Sequence, residues 1–235
     1  YTCYNNLPYF GDTGSDPGFM TGDELAAQYP SSIYFDIGLY RIARGEQNIV
    51  NPIGNYWDGD RGGKSYYQAI RECNLFLENV NKVPDLSDSE RRRWIAEVKL
   101  LKAYYHFFLF RMYGPIPVIR KNLPVSASIE EVRIPRMPVD SVVNYVVSLI
   151  DEAAPDLPAQ IMNQTSELGR LTKPIALSIK AQVLITAASP LFNGNPGYAN
   201  FKDKTGAQLF NPAYSVEKWR KAVDACKDAI TAAEA

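Results

Sequence analysis

One imidazole, His106, is present in 235 residues, so any scheme that needs histidine as a base must run through that position. It sits in Ala103-Tyr-Tyr-His-Phe-Phe-Leu-Phe110, an apolar run of helical texture, where a hydrogen-bonded core histidine is expected and a general base is not. Neither a Ser-His-Asp nor a Cys-His arrangement can be assembled without it, and HExxH zinc chemistry is absent. Gly63-Lys-Ser65 resembles the end of a phosphate-binding loop, but that pattern requires glycine where Asp58 stands. Asp58-Gly-Asp-Arg-Gly-Gly63 begins like a calcium loop, yet its twelfth position is Ala69, where a carboxylate ligand is required. A tight turn that caps the next helix explains it better. Asp58 and Asp60, two residues apart in a turn, lack the fixed separation and split pKa values of a glycosidase pair. Cys3, Cys73 and Cys226 match no zinc or redox spacing. The expectation is therefore no catalytic residue, no metal site and no cofactor.

What stands out is Asn55-Tyr-Trp-Asp58 in a glycine-rich loop. A sugar ring presents an apolar C–H face that an exposed aromatic ring can cover, while amide and carboxylate groups meet the hydroxyls at its edge. Trp57, Tyr56, Asn55 and Asp58 are accordingly the candidate carbohydrate contacts. The competing reading is that Trp57 only anchors the loop to the helix that follows.

Basic and acidic residues number 25 and 26, for a net charge of -1. No global field favours nucleic acid or an anionic bilayer, and a neutral ligand or a protein partner fits better. A composition that is 46% hydrophobic and 22% charged is enough for a real core. The densest apolar run falls far short of the roughly 20 residues of a membrane-spanning helix.

These residues need a scaffold, and the periodicity of the chain predicts an all-α one. Residues 1–63 form a loop-rich N-terminal region with a short helix expected over Thr21 to Tyr29, and residues 64–235 form a helical-hairpin domain. Within that domain a first helix runs from Lys64 with Tyr67, Ile70, Cys73 or Asn74, Leu77 and Val80 on one face. Ser87-Asp-Ser-Glu90 has capping-box spacing and starts the central helix, which is apolar on several sides, ends at Gly114 and is barred from restarting by Pro115 and Pro117. Further helices are expected over Val139–Ala154, over Lys173–Ala188, and after a Ser215 cap with Trp219, Val223, Cys226 and Ile230 inward. A strict repeat is absent, but the lengths suit stacked hairpins of tetratricopeptide (TPR) type. Both ends read as interior sequence, so a fragment of a longer protein is expected.

Glu97-Val-Lys-Leu-Leu-Lys-Ala-Tyr-Tyr-His-Phe through Arg111-Met-Tyr-Gly-Pro-Ile-Pro117 resembles the hallmark helix of the SusD/RagB family, the surface nutrient-binding lipoproteins of Bacteroidetes. Ile70-Arg-Glu-Cys-Asn74, Gly169-Arg-Leu-Thr-Lys173 and Ala187-Ala-Ser-Pro-Leu-Phe-Asn-Gly194 resemble three further motifs of that family, in its order. The resemblance implies a SusD-like scaffold of TPR-like helix pairs on the outer face of the outer membrane. It further implies a lipid anchor not present in this chain, and a non-catalytic role in passing glycans or peptides to a SusC-like TonB-dependent transporter. The motifs are scaffold positions, so the loop residues 55–58 rest on their own chemistry. The expected function is a glycan-binding subunit of such an uptake complex. The alternative is a hairpin scaffold that binds peptide or protein, and a glycosidase comes third.

Overall fold

Helical periodicity becomes nine α-helices and no β-strand among the residues that the computed structural model describes, 2–9, 16–23, 38–60 and 63–235. They are α1 (Pro17–Thr21), α2 (Tyr40–Ala43), α3 (Tyr66–Asn79), α4 (Asp88–Tyr113), α5 (Ile129–Val132), α6 (Val139–Ala153), α7 (Gln164–Glu167), α8 (Lys173–Ala188) and α9 (Val216–Glu234). The all-α class read from the sequence is the one observed. Two compact units divide the chain, Tyr1–Ala69 and Ile70–Ala235. In the first, Asp16 caps α1 by accepting from the Gly18 and Phe19 N–H groups. Most of the helix expected over Thr21 to Tyr29 lies outside the described residues.

In the second unit α4 packs on α6, α6 on α8, and α8 on α9. The turn into α4 is held by Arg91, whose guanidinium donates to the carbonyls of Val80, Val83 and Leu86 at 2.8, 3.1 and 2.9 Å. Ser87 then caps α4 by accepting from the Glu90 N–H. From Ala96 to Phe110 the helix is buried around most of its circumference, including Leu100, Leu101, Tyr105, Phe107 and Phe110. It is a core helix, as its unusually broad apolar surface predicts.

Gly114 stops it at φ +68°, in the region that disfavours side chains. A Cβ there would also lie 3.1 Å from the Phe210 ring. The extended segment beyond, with Ile116 and Val118 buried, is tied back to α4 at two points one turn apart. Lys102 Nζ donates to the Arg120 carbonyl at 2.7 Å, and the Ile119 N–H donates to His106 Nε2 at 3.3 Å. Because Nε2 accepts, Nδ1 carries the proton and donates to the Lys102 carbonyl at 2.8 Å. His106 is thus a neutral, fully buried core histidine, edge-on to Tyr145 at 5.2 Å. Burial holds its pKa down at about 4, opposed by the bond to Lys102 and assisted by the Lys102 and Arg120 charges.

Polar pins join the other segments. Glu97, 4% exposed, accepts from Arg93 at 3.2 Å and from Arg170 at 3.0 and 2.8 Å. Glu167 completes the group by pairing with both arginines. The buried Asn74 donates to Asn122 Oδ1 at 3.3 Å, and Asn122 in turn donates to the Arg71 carbonyl. Asn193, also buried, donates to the Ala188 and Ser215 carbonyls and accepts from the Ser215 N–H at 2.8 Å. Between the longer helices, residues 122–137 contain α5 with a complete Ser128/Glu131 capping box, and residues 155–169 contain α7.

Two expectations at α9 are corrected. Ser215 stands at the N-cap, but its hydroxyl makes no capping bond; Asn193 holds its backbone instead. The inward face is Ala222, Ala225 and Ala229, whereas Trp219, Val223 and Ile230 are 38%, 49% and 58% exposed. Ala176, Ala181 and Ala187 of α8 are buried as well, and small residues on both helices allow close approach, so the alanine face takes the contact.

Two outcomes follow for stability. The unfolded chain binds a proton at His106 near its ordinary value of 6.5 and the folded chain only near 4. Its contribution is therefore fully present above pH 6.5 and falls away as the pH drops towards 4, by on the order of 3 kcal/mol. Urea midpoints across pH 4–7 should show this slope, and His106→Ala should flatten it while lowering stability at pH 7. Arg170→Met leaves the buried Glu97 with only Arg93 among these pins, and should cost about 2–4 kcal/mol. Adding Glu97→Gln should recover part of that loss in the same measurement.

Candidate functional site

The loop 54–65 is built by the side chain and backbone of Asn55. Its Oδ1 accepts from the Trp57 and Asp58 N–H groups at 3.1 and 3.2 Å, and its amide donates to Asp58 Oδ2 at 3.2 Å. Its carbonyl accepts from the Gly59 and Asp60 N–H groups, and its own N–H donates to the Asp60 carbonyl at 3.1 Å. An asparagine that folds the chain around itself is the usual Asx-turn use of this residue. Gly63 passes so close to Asn55 that a Cβ would lie 2.3 Å from the Asn55 carbonyl oxygen. Arg61 and Gly62, part of the calcium-like sequence, lie outside the described residues.

The loop is then fastened to the start of α3. The Tyr66 N–H donates to the Tyr56 carbonyl at 3.1 Å. Ser65 Oγ donates to the Trp57 carbonyl and accepts from the Gln68 N–H, both at 3.4 Å, so one hydroxyl caps the helix and holds the loop. The glycine, lysine and serine of the phosphate-loop resemblance thus serve a helix start, with Lys64 Nζ donating to the Leu7 carbonyl at 2.7 Å.

Consecutive aromatic residues divide their duties. Tyr56, one of the four residues singled out for sugar contact, is 4% exposed and stacks on Tyr66 with ring centroids 5.9 Å apart. Its ring packs the base of the loop. Trp57 is half-buried and meets Tyr67 edge to face at 4.8 Å, so it anchors the loop and is still partly exposed. Asp58 is exposed and Asn55 half-buried. Tyr67, also half-buried, extends the aromatic surface and was placed on the buried face by the sequence reading. Ile70, Cys73, Asn74 and Val80 of that face are buried as expected, joined by Tyr66 and Ala69, whereas Leu77 is half-buried like Tyr67.

The loop sets a half-buried indole next in sequence to an exposed carboxylate, with a half-buried amide two residues before it, all held by the Asn55 hydrogen bonds. Among the described residues no cluster of histidine, cysteine or carboxylate side chains could hold a metal ion, and no helix is long and apolar enough to cross a membrane.

Fold and loop together define a helical-hairpin protein whose organised aromatic chemistry sits on a loop. A SusD-like family model, that of starch-binding proteins associating with the outer membrane, matches residues 32–185, and the chain belongs to this family. The SusD-like protein P25 of Formosa agariphila is 23% identical over 197 residues, which cover 78% of this chain and 33% of that protein. The solved structure of BT4246 is 32% identical with a TM-score of 0.84, over 100% of this chain and 38% of its own. A laminarin binding SusD-like protein shares the fold at 22% identity and a TM-score of 0.62, over 89% of this chain and 44% of its own. The chain thus spans about a third of the length of the curated relative it matches.

Gly63→Ala tests whether this geometry is obligatory. The added methyl cannot fit against the Asn55 carbonyl, so the loop must shift. The near-ultraviolet circular dichroism of Trp57 should change, with a loss of about 1–3 kcal/mol in stability.

Proposed function

We propose that this chain is part of a non-catalytic glycan-binding subunit that captures oligosaccharide or polysaccharide at the cell surface. The subunit hands its ligand to a SusC-like TonB-dependent transporter and is lipid-anchored at the extracellular face of the outer membrane. The observation that carries the reading is the family match over residues 32–185, which includes the ordered loop where Trp57 is still partly exposed and Asp58 is exposed. The naming of one structural relative as laminarin binding supports the ligand class without fixing the glycan. In this reading Trp57 covers the C–H face of a sugar ring, Asp58 and Asn55 meet its hydroxyls, and Tyr56 sets the loop from beneath. The chemistry of the loop in this reading is recognition.

The full-length protein should bind at least one of starch, laminarin and a wider polysaccharide panel in affinity electrophoresis, release no reducing ends, and co-purify with a TonB-dependent transporter. Trp57→Ala should weaken the affinity about tenfold, or about 1.4 kcal/mol. Undiminished affinity in that variant would remove the loop from the site. Peptide binding with no response to any glycan would establish the scaffold alternative.

A further inference from the structure

An open cavity of about 260 Å3 lies where the first turns of α6 and α9 meet the last turn of α8 and residues 211–215. Its floor is apolar, with Val143 and Ala187 buried and Leu184 half-buried. Its wall carries two carboxylates, Asp140 and Glu217, and two ammonium groups, Lys218 and Lys221. Asp140 and Lys218 are already paired at 2.6 Å, and Lys218 also donates to the Phe192 carbonyl at 3.1 Å. Asn144, one turn along α6 from Asp140, has an exposed amide with no hydrogen-bond partner among the described residues. The Ser215 hydroxyl, also in the lining, makes no capping bond to α9.

We propose that this cavity is a second binding site, which takes one pyranose ring of a neutral glycan. The proposal rests on the carbohydrate reading above. Both wall carboxylates already have a cation, Asp140 with Lys218 at 2.6 Å and Glu217 with Arg220 at 3.5 Å, so a charged ligand would have to compete with these pairs. A polyol can bond to the paired groups without displacing either charge. Each of its hydroxyls donates one proton and accepts others, so vicinal hydroxyls match a carboxylate oxygen beside an ammonium group. Asn144 adds an acceptor and two donors, and the Val143–Leu184–Ala187 floor receives the C–H face of the ring. The volume is below the roughly 300–1,000 Å3 usual for drug-sized ligands, which suits a single ring. Without an aromatic ring in its lining, this site is expected to be weaker than one built on Trp57.

The test uses the full-length protein with methyl-labelled valine and leucine, titrated with D-glucose, D-galactose, D-mannose and N-acetylglucosamine. At least one sugar should shift the Val143 and Leu184 methyl signals, equally in Trp57→Ala. Asn144→Ala, which removes no hydrogen bond among the described residues, should raise the apparent Kd at least fivefold and leave the melting temperature unchanged. If polysaccharides bind the protein but no sugar moves these two signals, the cavity proposal fails and the glycan function stands. If glycine or inorganic phosphate moves them and no sugar does, the ligand class is overturned. If neither sugars nor polysaccharides bind anywhere, the glycan function fails and the cavity proposal with it.

Discussion

The helical unit depends on what becomes of the chain where α4 ends. A helix buried nearly all round its circumference cannot let its exit drift into solvent, since the residues that follow are themselves apolar. Gly114 turns the backbone at positive φ, and the prolines hold it extended. The Ile119 N–H and the Arg120 carbonyl must then find partners inside the protein. His106 and Lys102 supply them from the helix just left. That explains a histidine in the middle of an aromatic run. It is the side chain that can donate to its own helix through Nδ1 and accept through Nε2 with the ring still packed. Lys102 does the complementary work, with its ammonium on a carbonyl and its pKa lowered to about 8 by burial.

The same logic recurs wherever segments distant in sequence meet. Asn74 reaches Asn122, Arg170 reaches Glu97, and Asn193 holds Ser215. Each joins a helix to a loop or cap by a hydrogen-bonded side chain that is buried or half-buried. Apolar contact alone is indifferent to small slides of one helix along another, whereas a buried polar group is costly when displaced from its partner. These pins therefore fix the register of the segments they join. They also belong to the four motifs that resemble the family, which is why those motifs speak to scaffold and not to ligand.

The helices were legible because periodicity, caps and proline stops are local signals. Ser87, Gly114 and the α6 pattern from Val142 to Ala153 behave as written. What was not legible is which of two adjacent faces meets a neighbour. On α9 the larger side chains suggested a core stripe, yet the alanines make the contact, because that choice depends on the alanines of a different helix. On α3 the expected face holds at Ile70, Cys73 and Asn74, but Tyr66 takes the buried position at its start and Tyr67 is left half-buried. Asn193 in place of the Ser215 hydroxyl is a case of the same kind, since its partner is 22 residues away.

The aromatic loop shows how much of a site can be read from types and how much needs geometry. Asn55, Tyr56, Trp57 and Asp58 are all of the right chemistry, and the sequence has no means to rank them. The turn sends Tyr56 inward to Tyr66 and leaves Trp57 half-buried against Tyr67. Asn55 must bond the Trp57 and Asp58 N–H groups to make that turn, so the amide that suited a sugar hydroxyl also shapes the loop. A ring held in this way gives up little rotational freedom on meeting a ligand. For any site that makes few contacts this matters, because those contacts cannot offset the entropy of ordering the protein as well.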